Sequence, residues 1–257
     1  MPQKKQEEWA YQWSRYYDDN LFLFKEWIYP NTLEDFRDKT VLDAGCGGGQ
    51  HINFTAPYAK KIIGVDLATA GIARENNLGR ENVEIREGDI AAISFPEKFD
   101  IVYSIGVIHH TDNPDAAADN LKKMVKPGGR FIVWVYSYEG NFLNRAVLEF
   151  LKRKIISKLP RPVLPILAKI FTACLYLSVY TIYFLPLKFL PYCQYFENFR
   201  KLPFKRNELN VFDKLNAPQT FFIKKEQVEK WFSPEQFRDV WLDHYKGISW
   251  RASGTKI

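Results

Sequence analysis

The sequence has little cysteine, and what it has is scattered. The three cysteines stand at positions 46, 174 and 193, a spacing that gives neither a disulfide framework nor a zinc site, so no metal is expected. The first residues, MPQKKQEEWAYQW, lack the apolar segment of a secretory signal. No internal repeat or low-complexity tract is evident. These absences favour a folded protein in a reducing cytoplasm.

Acidic residues are scarce in one segment only. Residues 141–210 hold 12 Lys and Arg against 3 Asp and Glu, a balance of +9. The rest of the chain has 24 basic and 27 acidic residues, a balance of −3, which together give the net charge of +6. The positive charge therefore belongs to one segment, which needs its own explanation.

Short apolar runs alternate with helix-like segments over the first half of the chain. TVLDAG, KIIGVDLA, VEIREGDI, KFDIVYSIG and RFIVWVYS are typical of buried strands, and KPGG before the last of them is typical of a type II turn. HINFTAPYA, TAGIARENNLG and NPDAAADNLKKMV are typical of the intervening helices. This alternation predicts an α/β fold with a parallel sheet covered on both faces.

A glycine-rich loop, VLDAGCGGGQH, follows the first predicted strand. Gly45 and Gly47 fit the first two positions of a dinucleotide-binding G-x-G-x-x-G, but Gln50 occupies the third. The lysine and hydroxyl of a phosphate-binding P-loop are missing. The loop therefore predicts a ligand that carries no phosphate.

Three carboxylates, Asp43, Asp66 and Asp89, lie at the ends of successive predicted strands. The carboxyl ends of parallel strands form the ligand edge of an open sheet, so these side chains should meet. They would repel pyrophosphate, whereas they suit an amino group, a ribose diol and an adenine amine. S-adenosylmethionine carries all three.

Five segments resemble, in order and spacing, the motifs of the class I S-adenosylmethionine-dependent methyltransferases. They are VLDAGCGGGQ, IIGVDLA, EGDI, FDIVYSIGVIHHTDNP and LKKMVKPGGRFIVWVYS, and they cover about residues 39–138. The resemblance implies a Rossmann-like, doubly wound, seven-stranded sheet with a reversed last strand. It also implies methyl transfer from S-adenosylmethionine as the cofactor.

The resemblance also implies which residues bind the cofactor. Gly45 and Gly47 let its methionine part lie against the backbone, Asp66 accepts from both ribose hydroxyls, and Asp89 with Ile90 reads the adenine edge. Asp43 orients the loop and the amino group. The complete expected set is Asp43, Gly45, Cys46, Gly47, Asp66, Leu67, Asp89, Ile90 and Ser104.

Plainer interpretations of these residues stay open. The glycines alone could form a tight turn, and Asp66 and Asp89 could cap helix N-termini. Cys46 is expected to pack rather than to react.

His109 and His110 are the candidate catalytic residues. They follow the fourth predicted strand, where the resemblance places the acceptor pocket, and histidine titrates near neutral pH. A base helps only if the acceptor is a hydroxyl or an acidic carbon. The alternative is that the pair packs or caps.

The strand pattern divides the chain into four parts. Residues 1–38, rich in Trp and Tyr, are expected to form a helical lid, and residues 39–139 the cofactor-binding core. Residues 216–257 supply a helix and two strands, FRDVWLDHY and ISWRASG, that complete the sheet. Residues 140–215 are therefore expected to be a helical cap inserted after the fifth strand.

The cap combines a basic amphipathic helix, NFLNRAVLEFLKRKIISKL, with the uncharged run IFTACLYLSVYTIYFLPL. The first is expected to place Phe142, Leu151 and Ile155 on one side and Lys152 and Arg153 largely elsewhere, a type of helix that often lies on a membrane or in a partner groove. The run barely reaches the length of a bilayer span. Two alternatives stay open: the cap only packs on the core, or it packs on the core and also docks on an anionic membrane.

The sequence thus predicts a cytoplasmic S-adenosylmethionine-dependent methyltransferase acting on a small or lipid-linked acceptor, with oxygen the favoured target. A peripheral position on the inner face of the membrane goes with the lipid-linked acceptor. An RNA methyltransferase and a non-catalytic S-adenosylmethionine-binding scaffold are the alternatives, and nucleic acid is not expected as a partner because no RNA-binding module is evident. The acceptor's identity and the oligomeric state stay open.

Overall fold

The computed structural model describes residues 3–185, 187 and 189–257. Its helices are α1 Gln3–Arg15, α2 Leu21–Ile28, α3 Gln50–Thr55, α4 Ala70–Asn76, α5 Pro114–Lys123, α6 Glu149–Lys154, α7 Val163–Thr181, α8 Cys193–Lys201, α9 Phe204–Asn216 and α10 Lys225–Trp231. Its strands are β1 Thr40–Ala44, β2 Lys61–Asp66, β3 Val83–Glu87, β4 Phe99–Ile105, β5 Val125–Tyr136, β6 Phe237–Tyr245 and β7 Ser249–Lys256. Short 3-10 turns cover Leu33–Phe36, Ile108–His110 and Ile156–Lys158, and one π turn covers Asn144–Leu148.

The strands form one sheet in the order β3-β2-β1-β4-β5-β7-β6. The strands from β3 to β5 are parallel, whereas β7 pairs antiparallel with both β5 and β6. The predicted Rossmann-like sheet with a reversed last strand is confirmed.

Each central strand is buried on both faces because helices cover the sheet from either side. Neighbouring residues on β1 show this: Val41 packs with α2 and α3, and Leu42 packs with α5 and α10. Both are fully buried. A strand of this kind must be apolar at every position, which is why the runs read as continuous rather than alternating.

The KPGG turn lies inside β5 rather than before it. Phe99 pairs with Val125, and the next pair on β4 is Ile101 with Arg130, so the turn residues bulge out of the ladder. Gly128 takes φ +76 there, which a type II turn requires at its third position.

The cap region holds α6 to α9, and α7 packs against α9. By length and composition α7 could cross a membrane. However, β5 precedes α7 and β7 follows it, and the two pair in one sheet. A single crossing would place them on opposite sides, so α7 lies on the same side as the sheet.

The expected amphipathic helix at residues 142–158 is shorter than predicted. Helical geometry is continuous from the π turn Asn144–Leu148 into α6 and ends at Ile155, whose φ is −124. One basic residue also departs from the predicted pattern: Lys152 is 5% exposed and pairs with Glu149 at 2.5 Å, whereas Phe142 is 68% exposed. The lysine is drawn inward because Glu149 and Thr220 provide buried oxygen partners.

Candidate functional site

A cavity opens at the carboxyl ends of the parallel strands, between the sheet and helices α1 and α9. Of the residues predicted to act in the site, seven line its wall: Gly45, Gly47, Asp66, Leu67, Asp89, Ile90 and His110. The other four are buried and are not on the wall: Asp43, Cys46, Ser104 and His109.

The glycine loop has a backbone that other residues would strain. Gly45 takes φ +86, and a methyl group there would lie 2.3 Å from Val107 Cγ1. Gly47 takes φ +55, and a methyl group there would come within 3.0 Å of the Trp13 ring. The loop therefore needs glycine at both positions, because the turn after β4 packs closely on one side of it and α1 on the other.

Asp66 holds the loop in place. Its Oδ2 accepts from the Gly47 amide at 3.0 Å, and its Oδ1 accepts from the amides of Ala68 and Thr69 at 2.9 and 3.0 Å. Burial raises its pKa, against the lowering effect of these donors. Capping the turn before α4 and facing the cavity are thus compatible roles, because Oδ2, which accepts from one amide only, has a second lone pair.

Asp89 shows the same arrangement on the neighbouring strand. Its Oδ1 accepts from the Ala91 amide at 2.9 Å, and its side chain lines the cavity beside Ile90. A carboxylate next to an apolar side chain suits an aromatic ring that carries an amino group. The carboxylate accepts a hydrogen bond from the amino group, and the ring packs on the apolar side chain.

Asp43 differs from the other two carboxylates because it is 1% exposed. Its Oδ2 has no hydrogen-bond partner within the described residues, and burial raises its pKa to about 8. Gln50 Oε1, on the cavity wall, is a second buried acceptor without a partner. Two buried acceptors thus flank the glycine loop: Asp43 at the end of β1, which interacts with the Tyr103 hydroxyl, and Gln50 at the start of α3, which an ammonium group in the cavity could reach.

The remaining two loop and strand residues have structural contacts. Ser104 Oγ donates to the Ala44 carbonyl at 2.8 Å and ties β4 to β1. Burial raises the pKa of the Cys46 thiol well above its usual value, so it packs as a thiol and not as a nucleophile.

The two neighbouring histidines have different surroundings. His109 is fully buried between the rings of His110 and Tyr136, and neither of its ring nitrogens has a partner in the described chain. His110 lines the cavity, stacks against Trp9 and has its Nδ1 2.8 Å from the Gln219 carbonyl. Burial lowers the pKa of both. Only His110 is in a position to meet a ligand.

The far wall of the cavity comes from α1 and the cap. Asp213 accepts from Gln12 Nε2 at 2.9 Å and from the Tyr136 hydroxyl at 3.1 Å. Asp18 and Arg206 form a buried ion pair at 2.9 Å on the same wall. Opposite the cofactor residues there is thus a polar chamber with two carboxylates and one guanidinium.

Sequence reasoning missed this chamber. Gln12, Asp18, Arg206 and Asp213 sit in segments that show no motif, and their approach depends on how the helices pack. His51 also lies on the wall, where burial lowers its pKa to about 4. The one available signal was position: a charged residue inside an apolar helical pattern, such as Asp213 in VFDKL.

These residues fit S-adenosylmethionine and do not fit a polyphosphate. Asp66 can accept from a diol, Asp89 and Ile90 can hold an adenine, and the unsatisfied oxygens of Asp43 and Gln50 suit an ammonium group. Among the described wall residues the one cation is Arg206, and Asp18 already pairs with it. No group of three His, Cys, Asp or Glu able to hold a metal ion is present in the described part of the chain.

Comparison with protein families agrees with this fit. Residues 42–133 match the family described as "Methyltransferase domain". This part of the chain is a class I S-adenosylmethionine-dependent methyltransferase domain. The predicted family and the predicted cofactor are confirmed.

Curated relatives resemble the same part of the chain. The Ubiquinone biosynthesis O-methyltransferase of Paraburkholderia phytofirmans is 35% identical over 119 residues, covering 44% of this chain and 48% of its own. The tRNA U34 carboxymethyltransferase of Pseudoalteromonas translucida is 28% identical over 114 residues, covering 42% of this chain and 35% of its own. The chain thus spans less than half the length of these relatives.

A solved structure resembles more of the chain at lower identity. The N-methyltransferase NodS of Bradyrhizobium japonicum, in complex with S-adenosyl-L-homocysteine, is 13% identical, with a TM-score of 0.49. The match covers 97% of this chain and 98% of that one.

Proposed function

We propose that the protein transfers a methyl group from S-adenosylmethionine to a hydroxyl of a small molecule. The observation that carries this proposal is one cavity whose wall holds both the residues expected to bind the cofactor and His110 with the polar residues of α1 and α9. Relatives named as O-methyltransferases support oxygen as the target. When bound, the cofactor supplies a methyl group already activated by its sulfonium.

His110 is the residue suited to take the acceptor's proton. The Gln219 carbonyl can only accept, so Nδ1 of His110 must carry the hydrogen of the 2.8 Å contact. In the neutral ring this leaves Nε2 without a proton. Burial lowers the pKa of His110, which keeps the ring neutral and basic at pH 7.

The polar chamber would orient the acceptor and exclude water. The Asp213 carboxylate has two neutral donors, Gln12 and Tyr136, and can accept from a further hydroxyl on the ligand. The indole N–H of Trp134 is buried on the wall without a partner in the described chain and can donate. Such fixed polar groups favour an acceptor with several oxygens on a compact, partly aromatic frame.

The lid, the four-part division of the chain and the roles of the individual site residues belong to the same proposal. What supports the lid is the position of α1, whose Trp9 and Trp13 line the cavity. A more specific version of the proposal adds a lipid-linked acceptor and a cytoplasmic position at the inner face of the membrane. Its support is the net charge of +9 of residues 141–210.

The test uses methyl-labelled S-adenosylmethionine and three acceptor pools from the same cells: polar small molecules, total lipid and total tRNA. We expect the label in small molecules or lipid, in a product that survives alkaline hydrolysis because an ether bond does and a methyl ester does not. The Asp66→Ala variant, which should not hold the cofactor, is the control for labelling by contaminants.

Two results would contradict the proposal. Label in the tRNA pool would identify an RNA methyltransferase. Tight binding of the cofactor with no label in any pool would identify a binding or scaffold protein.

A further inference from the structure

The exposed apolar residues of the protein are concentrated in one region. Fifteen of the 24 large apolar side chains that are exposed among the described residues lie between positions 142 and 189. Scattered exposed apolar residues are ordinary, whereas a cluster of this size marks a contact surface.

Helix α7 shows how the cluster is organised. One side, with Leu164, Ala168 and Thr172, is buried in a core shared with α1 and α9. The opposite side presents Ile166, Ile170 and Leu177 at helical spacing, and Leu177 is 71% exposed. A helix on the surface of a water-facing domain carries polar residues there. The outer side of α7 is therefore apolar although it is exposed to water.

The preceding segment extends the same kind of surface. Phe142 and Phe150 are exposed, and so are Leu143, Val147, Leu151 and Ile155 around them. We call the exposed side of α7 together with the exposed apolar residues of 142–155 the outer cap face.

The charge around the outer cap face has one sign. Residues 150–196 contain seven Lys and Arg and no Asp or Glu. Of these, Lys152 pairs with Glu149 and Arg161 with Glu7 and Glu8. Arg153, Lys154, Lys158 and Lys169 are exposed. An apolar face with four exposed basic residues that form no ion pair with the carboxylates of Glu149, Glu7 and Glu8 complements an anionic lipid headgroup layer with a hydrocarbon interior.

We propose that the outer cap face docks on the surface of an anionic lipid bilayer. The apolar side chains enter the interface, and the four exposed basic residues contact the headgroups. Lys152 takes no part in this docking, because it is buried and cannot reach lipid.

Docking would bring the membrane close to the acceptor chamber. Helix α9 lies between α7 and the cavity: Leu209 joins the core with α7, and Asn210 and Asp213 line the chamber. Packed helices have axes about 8–10 Å apart, so the two packed helices α7 and α9 separate the outer cap face from the acceptor end. Membrane docking rests on the proposed function in one respect only, the suggestion that the acceptor is linked to lipid.

The test is co-sedimentation with vesicles of phosphatidylcholine alone or mixed with phosphatidylglycerol. We expect the wild type to bind the mixed vesicles. The triple variant Ile166→Gln, Ile170→Gln, Leu177→Gln should bind at least about tenfold more weakly, because each loses the transfer of an apolar side chain. The matched control is Leu78→Gln with Val240→Gln, which removes equally exposed apolar residues elsewhere.

The charge contribution is tested separately. Arg153→Gln, Lys154→Gln and Lys158→Gln together should remove the preference for phosphatidylglycerol and the salt dependence of binding. Affinity for S-adenosylhomocysteine should be unchanged in both triple variants, so a failure of docking and a failure of cofactor binding are distinguishable.

A second measurement uses the native Cys174, which is exposed on the same side of α7. With Cys193 changed to Ser, an environment-sensitive fluorophore on Cys174 should shift to the blue on mixed vesicles, and one on Leu78→Cys should not. Docking would be overturned if the wild type stayed in the supernatant or if the fluorophore on Cys174 did not shift. It would also be overturned if the wild type were a dimer that the α7 variant breaks, because the outer cap face would then be a contact between two copies of the chain.

Discussion

The cofactor end of the cavity and its acceptor end are held together by different kinds of contact. At the cofactor end, Asp66, Thr69 and Asn76 bond to the backbone of the glycine loop within one stretch of chain. At the acceptor end, Gln12, Tyr136 and Asp213 come from a terminal helix, the sheet and the cap. The hydrogen bonds of the first stay within residues 47–76, with Trp13 and Val107 packed against the loop, whereas those of the second join parts of the chain 77 to 201 residues apart.

Because of this difference, the side chains at the two ends of the cavity are not equally free to change. Under the proposed function, the loop and its carboxylates keep one geometry because they bind the same cofactor in every turnover. The proposed acceptor wall draws Gln12, Arg206 and Asp213 from α1 and α9, outside the matched residues 42–133. The same proposal therefore assigns much of the recognition of the acceptor to helices beyond the matched domain.

The largest expected effect breaks the cofactor end. Gly45→Ala should abolish measurable S-adenosylhomocysteine binding and destabilise the fold by roughly 3 kcal/mol, through an unfavourable positive φ and a clash with Val107. Gly79→Ala is the control, since Gly79 has φ +79 but open space around it. It should cost only about 1–2 kcal/mol and leave binding intact. Equal losses in the two variants would contradict the role given to the loop's close packing.

Asp66→Ala should weaken S-adenosylhomocysteine binding by about 2–3 kcal/mol, measured by calorimetry, because a charged acceptor for the ribose is lost. The melting temperature should fall as well, since three backbone amides lose their acceptor. Asp89→Ala, which frees one amide, should show the smaller loss of stability. Unchanged affinity in Asp66→Ala would remove this residue from the site.

The same contrast explains what sequence could and could not predict. The alternating strands and helices, the glycine loop and the three aspartates follow from runs of residues read along the chain, whereas the seven-stranded sheet with a reversed last strand follows from the family resemblance. Motif spacing brought in Asp66 and Asp89, which line the cavity, and also Asp43, Ser104 and His109, which are buried off the wall, because a motif does not say which side chains face inward. Lys152 turns inward, unlike its basic neighbours, because a single partner, Glu149, decides where it points.

At the acceptor end, His110→Ala should lower turnover by roughly 10²-fold with cofactor affinity unchanged. Burial lowers the pKa of His110 below the ordinary histidine value of about 6.5, so the acid limb of the pH–rate profile should lie below that value. His109→Ala is the matched control. It should lower the melting temperature and leave turnover of the folded protein unchanged, and the reverse pattern would assign the base to His109.

Asp43 links the cofactor site to stability. Burial raises its pKa to about 8, so between about pH 4 and 8 the folded state keeps a proton that the unfolded chain has lost. Stability of the cofactor-free protein therefore falls as pH rises through this window, by up to about 1.4 kcal/mol per pH unit from this group.

Asp43→Asn cannot ionise, so its stability should gain on the wild type as pH rises from 4 to 8, and the gain should level off above pH 8. Chemical denaturation of both proteins across this range measures the difference, from which other titrating groups cancel. S-adenosylhomocysteine should stabilise the variant less than the wild type. Parallel pH curves would show that Asp43 is ionised in the folded protein.

The smallest expected effect concerns how the lid is tied to the cap. Arg161 bonds to Glu7 and Glu8 of α1 at 2.6 and 3.0 Å, but the arginine is 40% exposed, and such pairs contribute about 0–1 kcal/mol. Global stability of Arg161→Ala should therefore hardly change.

Local opening of α1 is a more sensitive measurement, because it breaks these bonds while the sheet stays folded. Amide hydrogen exchange in residues 3–15 should speed up by a few-fold in Arg161→Ala, within the roughly fivefold that about 1 kcal/mol allows. Lys225→Ala removes an equally exposed pair with Glu229 on α10, remote from the lid, and should leave exchange in α1 unchanged. If both variants alter α1 alike, or neither does, then Gln12 with Asp213 and Tyr16 with Glu208 hold the lid without help from Arg161.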